Sequence, residues 1–310
     1  MPPAVTPDLA PAGNPRSRTT LGHQPVTVAW LMLVPAIVLM VTFLIIPIIL
    51  TFGLAFTNAR LISPEPARFI GLDNFTRLFS SPTFWRSLQN TVVFALVIVP
   101  VQSAIALGLA LLINAKVRGV NFFRTVYFLP VVTSMVVVSM LWMFMYQPNG
   151  LINVLLAKIG IDGPDWLGDP RTALFAIIVL SIWQAVGMHM VIWLSGLQTI
   201  PGELYEAAAL DGAGPWRQFL HVTWPGLRQT ATFILITITI AAFSLFTQVN
   251  IMTQGGPLDA TSTVVFQAVR TGFQQQQTGY ASAISLVFFA IVLVVSLIQR
   301  YFTRDKEARR

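Results

Sequence analysis

The sequence predicts an all-α membrane protein with six transmembrane helices. Apolar residues make up 55% of the chain and charged residues only 10%, which leaves too little polar surface for a water-soluble domain. Six apolar segments each approach the roughly 20 residues that a helix needs to cross about 30 Å of hydrocarbon. They span residues 30–55, 91–113, 126–145, 173–194, 232–252 and 281–298.

The apolar segments are expected to be helices because they lack the alternating pattern of membrane β-strands. The first segment is longer than the roughly 7 to 15 apolar residues of a secretory signal, so we expect it to be retained. Residues 26–303 should therefore form the membrane domain. Residues 1–25, which are rich in Pro, Ala and Gly, should form a flexible tail, and residues 304–310 a second tail.

The positions of the basic residues predict how the chain is oriented in the membrane. Twelve of the nineteen Lys and Arg lie in segments on the same side as the amino terminus, whereas the 12 acidic residues divide evenly between the two sides. The short loop after the second segment carries Lys116, Arg118 and Arg124 and no acidic residue. Such loops stay in the cytoplasm, so both termini are predicted to be cytoplasmic. The net charge of +7 therefore indicates membrane topology, not nucleic-acid binding.

The predicted cytoplasmic segment 199–227 reads TIPGELYEAAALDGAGPWRQFLHVTWPGL. Thr199 or its neighbour can cap a helix, and Pro201 suits the first turn. The helix should end at Asp211 and Gly212, because glycine adopts the left-handed conformation that closes helices. A second short helix can begin at Pro215, so we expect a bent pair of helices that moves as a unit.

This segment also carries a spaced motif that resembles the EAA signature of ABC importer permeases. The motif is Glu206-Ala207-Ala208, three residues, Gly212, nine residues, Val222, one residue, Trp224 and Pro225. The resemblance implies that the loop docks an ATPase subunit through Glu206, Ala207, Ala208 and Gly212. The alternative is an ordinary amphipathic connector, in which the alanines serve only as strong helix formers.

Five shorter motifs resemble the carbohydrate branch of these importers, which includes the maltose permease. They are GLDNF at residues 71–75, FLP at 128–130, WLGDP at 166–170, GGP at 255–257 and GYA at 279–281. The resemblance implies the type I ABC importer permease fold in a bacterial plasma membrane. It implies as cargo a di- or oligosaccharide, or a solute of the sugar-phosphate or glycerol-phosphate type.

The energy source is expected to be another polypeptide, because the sequence has no G-x-x-x-x-G-K-[ST] loop for nucleotide phosphates. The resemblance implies two cytoplasmic ATPase subunits, a second related permease and an extracytoplasmic binding protein as partners. We therefore expect no catalytic residue and no cofactor bound by this chain, with ATP and Mg²⁺ held by the ATPase.

Two helical stripes are predicted to line the cargo pathway. Ser181 and Gln184 share a face of the fourth segment, and Thr237, Ser244 and Gln248 share a face of the fifth. The alternative is that these side chains only bond neighbouring helices. His189 is expected to bond a backbone or hydroxyl group, and no metal site is expected from three histidines without cysteine.

Three other classes of protein share some of these features. An ABC permease for an amino acid, peptide or anion would share every feature except the carbohydrate motifs. An ion-coupled secondary transporter would normally show carboxylates within its spans and an inverted repeat, and neither is visible. A membrane-anchored enzyme would need a cluster of acid, base and nucleophile that this sequence lacks.

Overall fold

The computed structural model describes residues 26–63, 66–114 and 119–303, and the chain divides into two units, residues 1–50 and 51–310. In the first unit, helix α1 (Val26–Met40) continues through a π-helical turn (Val41–Ile45) into α2 (Ile46–Leu54). The predicted tails, residues 1–25 and 304–310, lie outside the described residues, as does the 115–118 part of the basic loop.

The second unit is built from helices joined by short irregular segments. Its helices are α3 (Asp73–Phe79), α4 (Pro82–Asn114), α5 (Val120–Val132), α6 (Met135–Met145), α7 (Leu151–Lys158), α8 (Ala173–Gln198), α9 (Gly202–Leu210), α10 (Pro215–Gln218), α11 (Trp224–Gly226), α12 (Arg228–Phe243), α13 (Thr247–Met252), α14 (Val264–Val269) and α15 (Thr278–Thr303). Two π-helical turns, Phe219–Thr223 and Arg270–Gln274, follow α10 and α14. Over the described ranges the only β-pairing is one isolated bridge between Thr57 and Phe69.

The all-α fold class is confirmed, but two of the six predicted spans are interrupted. Five segments are long and apolar enough to cross a bilayer, and a sixth is a pair of helices, Phe122–Val132 and Met135–Met145, bent by 99°. Thr133 breaks this pair because its backbone is extended, with φ −84° and ψ 141°. Pro130, which has no N–H to donate, lies one turn before the break. A continuous helix over residues 126–145 was therefore the wrong expectation.

The fifth predicted segment is interrupted in a similar way. Helix α12 ends at Phe243, and α13 begins at Thr247 after Phe246 leaves the helical conformation, with φ −138° and ψ −56°. The backbone groups at the break are paired in other ways: the Leu245 N–H donates to the Ala242 carbonyl, and the Leu245 carbonyl accepts from the Thr263 hydroxyl. Both interrupted spans, the third and the fifth, contribute residues to the central cavity described below.

Helix α8 lies at the centre of the second unit. It packs along α4, and α12 packs against both of these helices. Ile177, Leu180, Met190 and Trp193 of α8 are almost completely buried. Because lipid is as apolar as these side chains, the packing is stabilised mainly by close van der Waals contact and less by exclusion of water.

Gly187 allows α8 to cross α5 at very short range. A Cβ atom at this position would collide with the main-chain carbonyl of Tyr127, and it would lie 3.1 Å from the amide nitrogen of Phe128. Small residues at helix crossings permit this kind of backbone contact in membrane proteins. The α5–α8 crossing therefore requires glycine at position 187.

Replacement of Gly187 with alanine should destabilise the protein by about 1–3 kcal/mol, because the added methyl group forces two backbones apart. Thermal unfolding in detergent, followed by intrinsic fluorescence, measures the effect. Gly108→Ala in α4 is the matched control, since a Cβ there meets no atom within 4 Å. Equal unfolding midpoints for the two variants would contradict the proposed tight crossing.

Candidate functional site

The 199–227 segment folds as the predicted bent pair of helices. Helix α9 ends at Leu210, and Gly212 has a left-handed φ of 73°. The Ala213 N–H donates to the Ala208 carbonyl at 2.9 Å, and the Gly212 N–H donates to the Ala209 carbonyl at 3.0 Å. These two bonds form a Schellman motif, so the predicted role of Gly212 in ending the helix is confirmed.

The predicted start of α9 was less accurate. Thr199 belongs to the end of α8, where its hydroxyl donates to the Gly196 carbonyl at 2.7 Å. The N-cap position of α9 is Pro201, and no side chain caps the helix there. Thr199 was the wrong cap because α8 extends four residues beyond the fourth apolar segment, which makes Thr199 the C-cap of α8.

Side-chain contacts hold the two arms of the segment together. The Tyr205 hydroxyl of α9 lies 3.0 Å from the Thr223 hydroxyl in the π-helical turn, which joins the arms directly. The Gln218 amide donates to the Ala213 carbonyl at 3.1 Å and braces the turn between them. Leu227, at the end of the segment, is fully buried in the helical core. The segment is therefore a cross-braced unit anchored to the membrane helices.

The outer surface of this unit is apolar and exposed. Glu206 and Ala207 are exposed and Ala208 is partly exposed. Leu210 is 90% exposed and Trp216 is 69% exposed. Sequence analysis missed Leu210 and Trp216, although an alanine run that ends in leucine at a helix terminus was visible. Large apolar side chains exposed beside the charged Glu206 are typical of a protein interaction site.

A second candidate site is a cavity of about 320 Å³ between α4, α6, α8 and the α12–α13 break. Ser181, Gln184, Ser244 and Gln248 all line it, so four of the five predicted pathway residues come together. Thr237 is absent from the described lining, and its hydroxyl donates to the Ile234 carbonyl at 3.0 Å. Ile238, the next residue of α12, does line the cavity, so Thr237 lies at the level of the cavity but on another face of the helix.

Sequence analysis did not place three polar residues that also line the cavity. They are Gln102, His189 and Thr247. The Gln102 amide nitrogen lies 2.8 Å from Nδ1 of His189, and the Ala185 carbonyl lies 3.0 Å from the same nitrogen. The expectation that His189 bonds a backbone group agrees with this geometry. Gln102 could have been found, since it is a polar residue near the middle of the second apolar segment.

The cavity presents hydroxyl and amide groups on an otherwise apolar wall. The Gln248 amide approaches the Ser181 hydroxyl at 3.4 Å, and the Gln184 amide approaches the Pro130 carbonyl at the same distance. Both contacts are long, so these amides can exchange partners at low cost. None of the described lining residues is Asp, Glu, Lys or Arg. Such a surface suits a neutral, hydroxyl-rich molecule better than an ion.

The described residues offer no group of three or more His, Cys, Asp or Glu side chains that could hold a metal ion.

Comparison with known proteins identifies the family. The model for the binding-protein-dependent transport system inner membrane component matches residues 102–307. The probable ABC transporter permease protein YurN of Bacillus subtilis is 40% identical over 286 residues, which cover 90% of this chain and 97% of the relative. The lactose transport system permease protein LacF of Rhizobium radiobacter is 36% identical, over 94% of this chain and 99% of the relative.

The fold agrees with a solved structure as well. A chain of a bacterial ABC transporter involved in the import of the acidic polysaccharide alginate superposes with a TM-score of 0.78 at 25% identity. The match covers 90% of this chain and 95% of that chain. With a family match over more than half of its length and relatives of similar size, this protein belongs to the family of inner membrane components of binding-protein-dependent transport systems.

Proposed function

We propose that this chain is a permease subunit of an ATP-driven importer and that its cargo is a sugar. The observation that carries the proposal is the match over nearly full length to LacF, a lactose transport permease. The hydroxyl and amide lining of the central cavity supports it, because sugars are recognised through such groups. The absence of charge among the described lining residues favours a sugar over an amino acid or an inorganic anion.

The 199–227 segment is proposed to dock a separate ATPase subunit. Glu206, Ala207, Ala208 and Gly212 keep the role that the EAA resemblance implies, and Leu210 joins them because of its exposure. Closure of the ATPase would push a braced helical unit that continues directly into α8 and α12. Movement of a rigid element between two packed arrangements is an established way to couple distant sites.

The remaining partners follow from the same proposal. A second related permease would complete the pathway, two ATPase subunits would bind on the cytoplasmic side, and an extracytoplasmic binding protein would deliver the sugar. The excess of basic residues supports a bacterial inner membrane orientation with both termini in the cytoplasm. Residues 26–303 form the permease domain in this proposal, with 1–25 and 304–310 as cytoplasmic tails.

Ser181, Gln184, Ser244 and Gln248 are proposed to contact the sugar during its passage, with Gln102 as an additional contact. These residues belong to three helices and to the break after α12. A small rotation of one helix would therefore change several contacts together. That property is useful in a transporter, which must release its cargo as well as bind it.

The energy source can be tested in proteoliposomes that contain the complete complex, the binding protein and a panel of labelled disaccharides. Uptake should require ATP hydrolysis, and it should persist when ionophores collapse the proton and sodium gradients. A complex with a hydrolysis-deficient ATPase provides the control. Uptake driven by an imposed ion gradient without ATP would contradict the proposal, and transport of amino acids alone would contradict the sugar assignment.

Docking can be tested by co-purification of the ATPase with permease variants. Glu206→Lys and Leu210→Ser should each weaken the association about tenfold or more. At position 206 the substitution reverses the charge. At position 210 a leucine side chain loses about 1.5–3 kcal/mol when its burial is lost. Membrane insertion should be unchanged, since the segment contributes no spanning surface.

The matched control for the docking test is Leu258→Ser. Leu258 is also a highly exposed leucine, at 87%, but it precedes α14 and lies on the far side of the α12–α13 span. This variant should retain the ATPase. Equal retention by the Leu210 and Leu258 variants would contradict docking through α9.

The cargo pathway can be tested with Gln248→Leu, which removes a hydrogen-bonding group while keeping similar volume. The KM for disaccharide uptake should rise about threefold to tenfold, the effect of one lost hydrogen bond of about 0.5–1.5 kcal/mol. Thr237→Val is the control, because Thr237 belongs to the same span without lining the cavity. A larger effect at Thr237 than at Gln248 would contradict the proposed pathway.

A further inference from the structure

A polar cavity of about 440 Å³ lies apart from both sites described above. It is formed where the end of α3 and the start of α4 meet the region from Ser262 to Gln275 and the first turn of α15. It has no lining residue in common with the central cavity. Along the chain, the α12–α13 span lies between the 199–227 segment and the residues 262–275 that line this polar cavity. The segment and the polar cavity therefore lie at opposite ends of a membrane crossing.

Two arginines give this cavity a positive charge. Arg77 and Arg270 line it, and neither Asp nor Glu occurs among its described lining residues. The Arg77 guanidinium lies 4.1 Å from the centre of the Tyr280 ring, and its Nη1 donates to Gln277 Oε1 at 2.8 Å. These contacts hold Arg77 in place without neutralising it. The side chain of Arg270 is exposed and makes no hydrogen bond or ion pair with the described residues, so its guanidinium donors are available.

The wall of the cavity contains a buried amide that lacks a partner. The side chain of Gln267 is only 8% exposed, and its Oε1 accepts no hydrogen bond from the described residues. An unsatisfied buried polar atom is unfavourable, and such an atom in a native structure usually has a reason. A hydroxyl group entering the cavity would supply the missing donor, and rotation of the amide would let the same side chain serve either role.

The surrounding backbone is held rigidly. The Ser262 hydroxyl lies 2.9 Å from the Ser87 hydroxyl of α4, and the Thr263 hydroxyl donates to the Leu245 carbonyl at 2.8 Å. The Asn90 amide donates to the Ser262 carbonyl at 2.9 Å. The cavity wall is thus fixed by bonds that link α4 to the segment before α14. A pre-formed wall lowers the entropy that a ligand loses on binding.

We propose that this cavity is a binding site for a hydroxylated carboxylate of the sugar-acid class, such as a hexuronate. The two guanidinium groups bind the carboxylate, for which arginine offers paired donors. Gln267 binds a ring hydroxyl. The volume falls within the range of roughly 300–1,000 Å³ that small-molecule sites occupy. The site requires neither ATP nor the central cavity, so it stands independently of the transport function proposed above.

The test is isothermal titration of the purified full-length chain at low ionic strength with D-galacturonate, D-galactose and acetate. Galacturonate should bind at least about tenfold more tightly than the other two probes, because only it carries both the carboxylate and the hydroxyl groups. Galactose binding as tight as galacturonate would overturn the role of the arginines. Equal binding of acetate would overturn the role of the hydroxyls and would indicate an acidic protein side chain as the occupant.

Substitutions of the lining residues test whether galacturonate binds in this cavity. Arg270→Gln and Arg77→Gln should each weaken galacturonate binding about tenfold, the loss expected for one charged hydrogen-bonding partner. Arg86→Gln, an exposed arginine of α4 outside the cavity, should leave it unchanged. Gln267→Leu should weaken galacturonate binding about threefold to tenfold and leave acetate binding unchanged. Absence of galacturonate binding to the unmodified protein, or unchanged binding by both arginine variants, overturns the proposal.

Discussion

Backbone groups inside a bilayer have no water to bind, so each interruption of a membrane helix leaves polar groups that the protein must pair itself. This constraint organises the central cavity. Helix α6 begins after the first interruption and α12 ends at the second, and Met135 and Ser244 at these positions both line the cavity. The Pro130 carbonyl near the first break lies 3.4 Å from the Gln184 amide. The polar residues of the cavity thus serve the fold as well as any cargo.

Helix α8 connects the cavity to the 199–227 segment. Ser181, Gln184 and His189 on its middle turns face the cavity, and its last turn leads into α9 through Thr199 and Pro201. The helix is continuous over 26 residues, and Trp193 is buried between the two ends. If a partner displaces the 199–227 segment as proposed, the unbroken α8 would carry that displacement to the walls of the cavity.

Local rules predicted a large part of this structure. The end of α9 at Gly212 follows from the steric freedom of glycine, and helical spacing alone grouped Ser181 with Gln184 and Ser244 with Gln248. Interruptions at Thr133 and between Ser244 and Phe246 could not be predicted in this way, because hydropathy is continuous across both. Pro130 is a local signal for the first interruption, whereas the Leu245 carbonyl at the second is bonded by the Thr263 hydroxyl, a partner 18 positions away.

The same limit explains the residues that were missed. Gln102 acquires its role from His189, which lies 87 positions away in sequence, and periodicity along a single helix cannot detect such a pair. The significance of Leu210 comes from its exposure, whereas an apolar residue in an alanine-rich helix is expected to be buried. Sequence signals for the start and the end of a helix are also ambiguous where two helices meet. Thr199, which was expected to cap the start of α9, lies at the end of α8.

The exposed side chain of Leu210 also has a consequence for synthesis of the protein. Until another molecule covers them, Leu210 and Trp216 expose apolar surface of the kind that chaperones and proteases recognise. If the proposed ATPase covers this surface, copies made in excess of the ATPase would keep it exposed and would be degraded sooner. The abundance of the polypeptide is in this way tied to successful assembly.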